Sequence, residues 1–174
     1  EQARFVSYLL EDMDTCKFGV LLALFTGVRI GELCALQWGK FSLKEQTIRI
    51  DATLQRLRDT SAVGSARTRI VISTPKSDTS VRTIPVTDYT AELCGKMAPH
   101  SSAAYVLTGT DSFMEPRALQ YRMEKYTRKC GLEGVHFHTL RHTFATRAVE
   151  VGFEIKSLSE VLGHSPACGQ AASG

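Results

Sequence analysis

The chain has 174 residues, 43% apolar and 22% charged, with a net charge of +3. That is enough for one compact domain and too little for two full ones. Its longest apolar stretch, Phe18 to Phe25, falls far below the ~18 residues a membrane span needs, so no membrane crossing is expected. Five cysteines, Cys16, Cys34, Cys94, Cys130 and Cys168, are odd in number and lack close pairs. This argues against a disulfide framework or a thiolate zinc module and for reduced, cytosolic thiols. The opening Glu1-Gln2-Ala3-Arg4 carries no basic region before an apolar core, and a fragment of a longer protein is expected.

In chain order, residues 2–11 and 15–25 are expected to form helices that pack on each other. Phe5, Tyr8 and Leu9, then Phe18, Leu21, Leu22 and Phe25, recur at three and four. Thr26-Gly27 breaks the second helix, and a third segment with Val28, Ile30, Leu33 and Leu36 runs on to Trp38. From Phe41 the period changes to that of strands. Residues 47–54, 68–72 and 80–85 alternate or are β-branched, which predicts a small antiparallel sheet of three strands. Helices resume at 88–97, at 115–130 with Pro116 near the first position, at 139–151 closed by Gly152, and at 155–162 closed by Gly163. The tail at 166–174 has the small-residue composition of a linker. The fold class expected is α+β, mainly α, a helical domain with a small three-stranded sheet.

Charge is segregated along this outline. Residues 40–82 carry nine basic against four acidic side chains and residues 117–147 seven against two, while the remaining segments together hold −7. Two stretches could thus face a polyanion. Chance clustering on solvated faces explains the charge pattern about as well when charge is considered alone.

Three constellations carry chemistry. Thr26-Gly27-Val28-Arg29-Ile30-Gly31-Glu32-Leu33 sets an arginine at a helix start with a carboxylate one turn later. Taken alone this is a surface ion pair worth at most ~0.5 kcal/mol. Functionally it is a phosphate-binding guanidinium held in one rotamer by Glu32. In Thr74-Pro75-Lys76-Ser77-Asp78-Thr79-Ser80-Val81-Arg82-Thr83-Ile84-Pro85, Lys76 occupies a turn between strands. A turn lysine is usually only solvated, yet a hairpin tip can enter a DNA groove and give its proton to a leaving oxygen. The third, His136-Phe137-His138-Thr139-Leu140-Arg141-His142-Thr143-Phe144, puts His138 and Arg141 one turn apart at a helix start. Core-packed or capping histidines are the plain alternative. A zinc hydrolase built on His136, His138 and His142 is a rival, but Thr139 stands where the metalloprotease helix needs Glu, and Arg141 would set a cation beside the metal. Downstream, Leu162-Gly163-His164 projects an imidazole after a helix end.

In this order the pieces resemble the catalytic domain of the tyrosine recombinases, the phage-type integrase family, over nearly the whole chain to about Ser165. The resemblance implies the fold of the DNA breaking-rejoining enzymes. It implies that Arg29 and Arg141 clamp the non-bridging oxygens of the scissile phosphate with no metal or cofactor required. By the same likeness Lys76 is the general acid for the leaving 5′ oxygen, His138 the base or a phosphate hydrogen-bond partner, and His164 a second phosphate donor. Glu32 would orient Arg29, and Lys40 and Arg82 would contact DNA. The implied partners are double-stranded DNA and further protomers in a tetrameric synapse, with a cytoplasmic, nucleoid-associated location and no membrane.

One departure matters. The family's nucleophilic tyrosine lies about two and a half helical turns past the second histidine, which here falls near Ser173. The tyrosines present, Tyr8, Tyr89, Tyr105, Tyr121 and Tyr126, all precede His138. Residues 1–165 are therefore expected to be a catalytic domain lacking the nucleophile helix, with 166–174 a flexible or altered tail. Ser173 is a poor substitute, since nothing beside it would lower its pKa. The family's N-terminal helical domain is expected to be absent from such a fragment, which implies weak, non-specific, salt-sensitive DNA binding. A helix-turn-helix over Phe144–His164, with Ile155–Leu162 reading bases, is the non-catalytic alternative. It offers only Lys156, Ser157, Ser159 and Glu160 to bases and leaves Arg29 and Lys76 unexplained.

Overall fold

The computed structural model describes residues 1–58, 68–74 and 81–163. The chain enters through α1 (Gln2–Leu10) and α2 (Thr15–Thr26). From Phe18 to Leu24 α2 is apolar on every face and accordingly buried on every face, with Phe18, Leu21 and Leu22 at 1% exposure. The Asp14 side chain accepts the Lys17 N–H at 2.7 Å to cap its start. Gly27 ends it in the left-handed region at φ +68°, where a Cβ would come within 2.6 Å of Phe144 and 2.8 Å of Leu162. Only glycine satisfies both the turn and the close approach. α3 (Ile30–Ala35) follows at once, then a single 3₁₀ turn at Trp38–Lys40.

The strands are β1 (Phe41–Ser42), β2 (Thr47–Ile50), β3 (Thr53–Arg58), β4 (Thr68–Ser73) and β5 (Arg82–Pro85). They form two antiparallel sheets, one of three strands in the order β1-β2-β5 and a two-stranded ribbon β3-β4. The expected stretch 47–54 is thus split at Asp51-Ala52, and residues 68–73 pair with its second half instead of joining the three-stranded sheet. The physical reason lies at the split. Ile48 and Ile50 seal the core with Ile84, whereas Asp51 is drawn aside by Lys40 and Arg49. Past Leu54 the ribbon leaves the core, with Leu57 and Ile72 more than 40% exposed.

α4 (Asp88–Met97), α5 (Pro116–Lys129), α6 (Phe137–Glu150) and α7 (Ile155–Leu162) complete the described chain. These fall within two residues of the expected helices. α2 is the central rod, contacted by α1, α3, α4, α5 and α6, while α7 packs on α6 and β5. α7 buries Leu158 and Leu162 against Ala148 in a small cluster of its own. Cys16, Cys34, Cys94 and Cys130 are buried free thiols. No described helix is long and apolar enough to cross a membrane. The tail expected at 166–174 lies outside the described residues, as do 59–67 and 75–80.

Candidate active site

Between α2 and α3, Arg29 stands at the cap position with extended backbone. Glu32, one turn into α3, bends back to it. One carboxylate oxygen accepts the Arg29 backbone N–H and the other accepts Arg29 Nη1, both at 2.9 Å. This is no surface pair, because the Glu32 side chain is only 4% exposed while that of Arg29 keeps 41%.

The far side of the same carboxylate is held from the sheet. Along β5 the burial alternates, so Arg82 shares the inward face with Ile84. Arg82 Nη1 and Nη2 each donate to a different oxygen of Glu32 at 2.9 Å, with both side chains under 10% exposed. Arg82, for which DNA contact is expected, turns inward because its strand position faces the core and a buried carboxylate waits there.

Arg141 arrives from the second turn of α6 and is 6% exposed. Its Nη1 donates to the Gly27 carbonyl at 2.6 Å and its Nη2 to the Leu162 carbonyl at 2.7 Å. Arg82 Nε donates to Val161 O at 2.6 Å, and Arg29 Nη2 to Gly163 O at 3.0 Å. Three arginines from three elements therefore close on three successive carbonyls at the C-terminus of α7. Those carbonyls lack helical partners and sit at the negative end of the helix dipole, where cations are favoured.

The family model described as the phage integrase family matches residues 11–167 of this chain. The chain belongs to that family. A XerC-like tyrosine recombinase of Caldanaerobacter subterraneus subsp. tengcongensis is 26% identical over 164 residues, which cover 83% of this chain and 41% of the relative. A tyrosine recombinase of Pseudothermotoga lettingae is 32% identical over 152 residues, covering 83% and 43%. The integrase-family chain thus spans less than half the length of these relatives. Among solved structures, the Tn1549 transposon integrase in complex with transposon right end DNA superposes with a TM-score of 0.73. It is 22% identical, and the match covers 95% of this chain and 56% of that one. The XerA recombinase matches with a TM-score of 0.67 at 22% identity, covering 94% and 52%. The fold is that of a tyrosine recombinase catalytic domain.

Within this integrase domain the residues anticipated from sequence divide into three groups. Arg29, Glu32 and Arg141 come together, joined by Arg82. His138 lies one turn before Arg141 on α6, exposed, with its ring 4.4 Å from that of His142 and perpendicular to it. Lys40 belongs to a different pairing, donating to Asp51 at 2.7 Å. Lys76 and His164 lie outside the described residues, although His164 directly follows Gly163. The described residues contain no cluster of three or more His, Cys, Asp or Glu able to hold a metal ion.

Electrostatics follow the geometry. Burial pushes the Glu32 carboxyl up, but the hydrogen bonds and charge of Arg82, then those of Arg29, outweigh it and hold the group below its ordinary range. Burial, with the charge of Arg29 beside it, pulls the Arg141 guanidinium down to about 10, which still leaves it cationic at neutral pH. Sequence reasoning missed the α7 carbonyls altogether. It also missed the inward turn of Arg82, for which the alternation with Ile84 was the available signal.

Proposed function

We propose that this domain binds a DNA phosphodiester and serves site-specific strand cleavage and rejoining through a 3′-phosphotyrosyl intermediate. The observation that carries the reading is the convergence of Arg29 and Arg141 on adjacent carbonyls of α7, with Arg29 retaining an exposed face beside a buried carboxylate. Forked guanidiniums fixed in this way suit a phosphorane-like transition state, whose charge grows on the non-bridging oxygens. The Tn1549 transposon integrase named above, solved in complex with transposon right end DNA, supports the same substrate.

In the reaction, a phenolic oxygen attacks phosphorus, a P–O(tyrosyl) bond forms, and the bond to the 5′ oxygen breaks. Lys76 gives its proton to that leaving oxygen. His138 accepts the phenolic proton or hydrogen-bonds the phosphate, and His164 donates a further hydrogen bond. Glu32 orients Arg29, and Lys40 meets the DNA backbone. The partners in this reading are double-stranded DNA and other protomers in a tetrameric synapse, with a nucleoid-associated location. Residues 165–174 contain no tyrosine, so the 174 residues bind phosphate without cleaving it. The helix-turn-helix alternative accounts for none of the arginine contacts to α7.

The test is a nicked suicide duplex offered to two chains. The 174-residue chain is expected to form no covalent adduct, whereas a chain continued through a nucleophilic tyrosine traps one, and Arg29→Ala or Arg141→Ala in the continued chain loses it. No adduct from the continued, folded chain would remove the strand-exchange reading.

A further inference from the structure

We propose that Arg82 is a positioning residue for Arg29, acting through the shared Glu32 carboxylate and through the C-terminus of α7. The inference rests on the reading of Arg29 as a phosphate ligand and adds to it a buried residue that acts through another.

Glu32 is a two-sided connector. Each of its oxygens takes a donor from Arg82 at 2.9 Å on the buried side, while Arg29 supplies its backbone N–H and Nη1 on the other. An exposed arginine paired to a lone carboxylate loses little of its rotamer freedom. Here the carboxylate cannot swing, because a bidentate, desolvated guanidinium fixes its plane. The second route runs through α7, where Arg82 Nε grips Val161 O at 2.6 Å two residues before the carbonyl that receives Arg29. Gly163 leaves room for this grip, since a Cβ there would stand 3.0 Å from Arg82 Nη1. Arg82 thereby ties both anchors of the exposed Arg29 guanidinium, Glu32 and Gly163 O, to the edge of the three-stranded sheet. Binding a phosphate then costs Arg29 little further ordering.

The experiment uses the 174-residue chain labelled with ¹⁵N, following the arginine Nε–Hε signals by heteronuclear NOE. Affinity for a random 24-base-pair duplex is measured by fluorescence anisotropy at low salt. In the wild type, Arg29 Nε should be as ordered as the backbone, and an Arg29 as mobile as the exposed Arg117 would overturn the proposal without any variant. In Arg82→Gln the Arg29 signal should fall to the Arg117 level. Arg29→Gln, expected to weaken binding about tenfold in the wild-type background, should then cost less than about twofold in the Arg82→Gln background. Arg82→Lys should restore part of both, because an ammonium still meets Glu32 but cannot span both oxygens. Unchanged Arg29 order and an unchanged cost in a folded Arg82→Gln chain would make Arg82 a core ion pair only. If Arg82→Gln does not fold, Glu32→Gln, which keeps the shape and removes the charge, makes the same comparison. Should Arg29→Gln cost nothing in the wild type, the phosphate reading fails, while the NOE data still decide whether Arg82 orders Arg29.

Discussion

Arg82 and Glu32, 50 residues apart in sequence, meet through two parallel hydrogen bonds of 2.9 Å inside the protein, with side-chain exposures of 6% and 4%. Removing one partner of such a pair leaves the other charge buried and unmatched, which typically costs about 3–5 kcal/mol. Glu32→Ala should therefore lower the stability of the domain by that order, and Glu32→Gln by less, because its carboxamide still accepts one hydrogen bond. Urea unfolding at pH 7 measures both. A loss under about 1 kcal/mol for Glu32→Ala would mean that the surrounding arginines reorganise into solvent.

The same carboxylate sets an acid limit. Burial raises its pKa, but Arg82 and Arg29 together bring it below the ordinary value of 4.5. A depressed carboxyl contributes stability that is fully present above its unfolded pKa and is lost as pH falls through the folded one. The expected outcome is a wild-type stability that drops on acidification below about 4.5 more steeply than that of Glu32→Gln. Parallel curves for the two chains over pH 3–6 would assign acid unfolding to other groups.

Gly163 tests the α7 junction from the opposite side. It holds φ at +64° and a Cβ would lie 3.0 Å from Arg82 Nη1 and 3.1 Å from its Cδ. Gly163→Ala should cost about 1–3 kcal/mol in backbone strain and displace Arg82 from Val161 O. The thermal midpoint reads the first effect and the Arg82 Nε–Hε chemical shift the second. An unshifted signal would show that the guanidinium has room the present geometry denies it.

Most of the framework was legible because it rests on local periodicity. The apolar run around Phe18, Pro116 near a helix start and the stops at Gly27 and Gly163 place the helices without reference to anything distant. What escaped depends on pairing across the chain. Nothing near residue 50 announces that Ile50 lies opposite Arg82 while Leu54 lies opposite Ile72. The site divides the same way. Arg29, Glu32 and Arg141 belong to ordered local motifs, whereas the carbonyls of Val161, Leu162 and Gly163 are backbone groups that no side-chain pattern marks. Arg82 was visible as a cation, but its inward direction follows only once Ile84 is known to be core.

The salt dependence of DNA affinity separates phosphate contacts from other forces. Arg29 is the exposed member of the arginine cluster, and further cations such as Arg117, Lys125 and Arg128 lie exposed on α5. With about five phosphates neutralised, affinity for a random duplex should fall on the order of 10²- to 10³-fold between 50 and 200 mM salt. Arg29→Ala should weaken binding and reduce the logarithmic salt slope by about one, while moving the thermal midpoint little, because Glu32 keeps its bidentate pair with Arg82. Arg141→Ala should differ in kind. It strips hydrogen bonds from the carbonyls of Gly27 and Leu162 in the interior, so its midpoint drops along with its affinity. A filter-binding titration that finds no affinity at 50 mM salt, with the chain folded, would mean that the basic stretches are ordinary solvated surface.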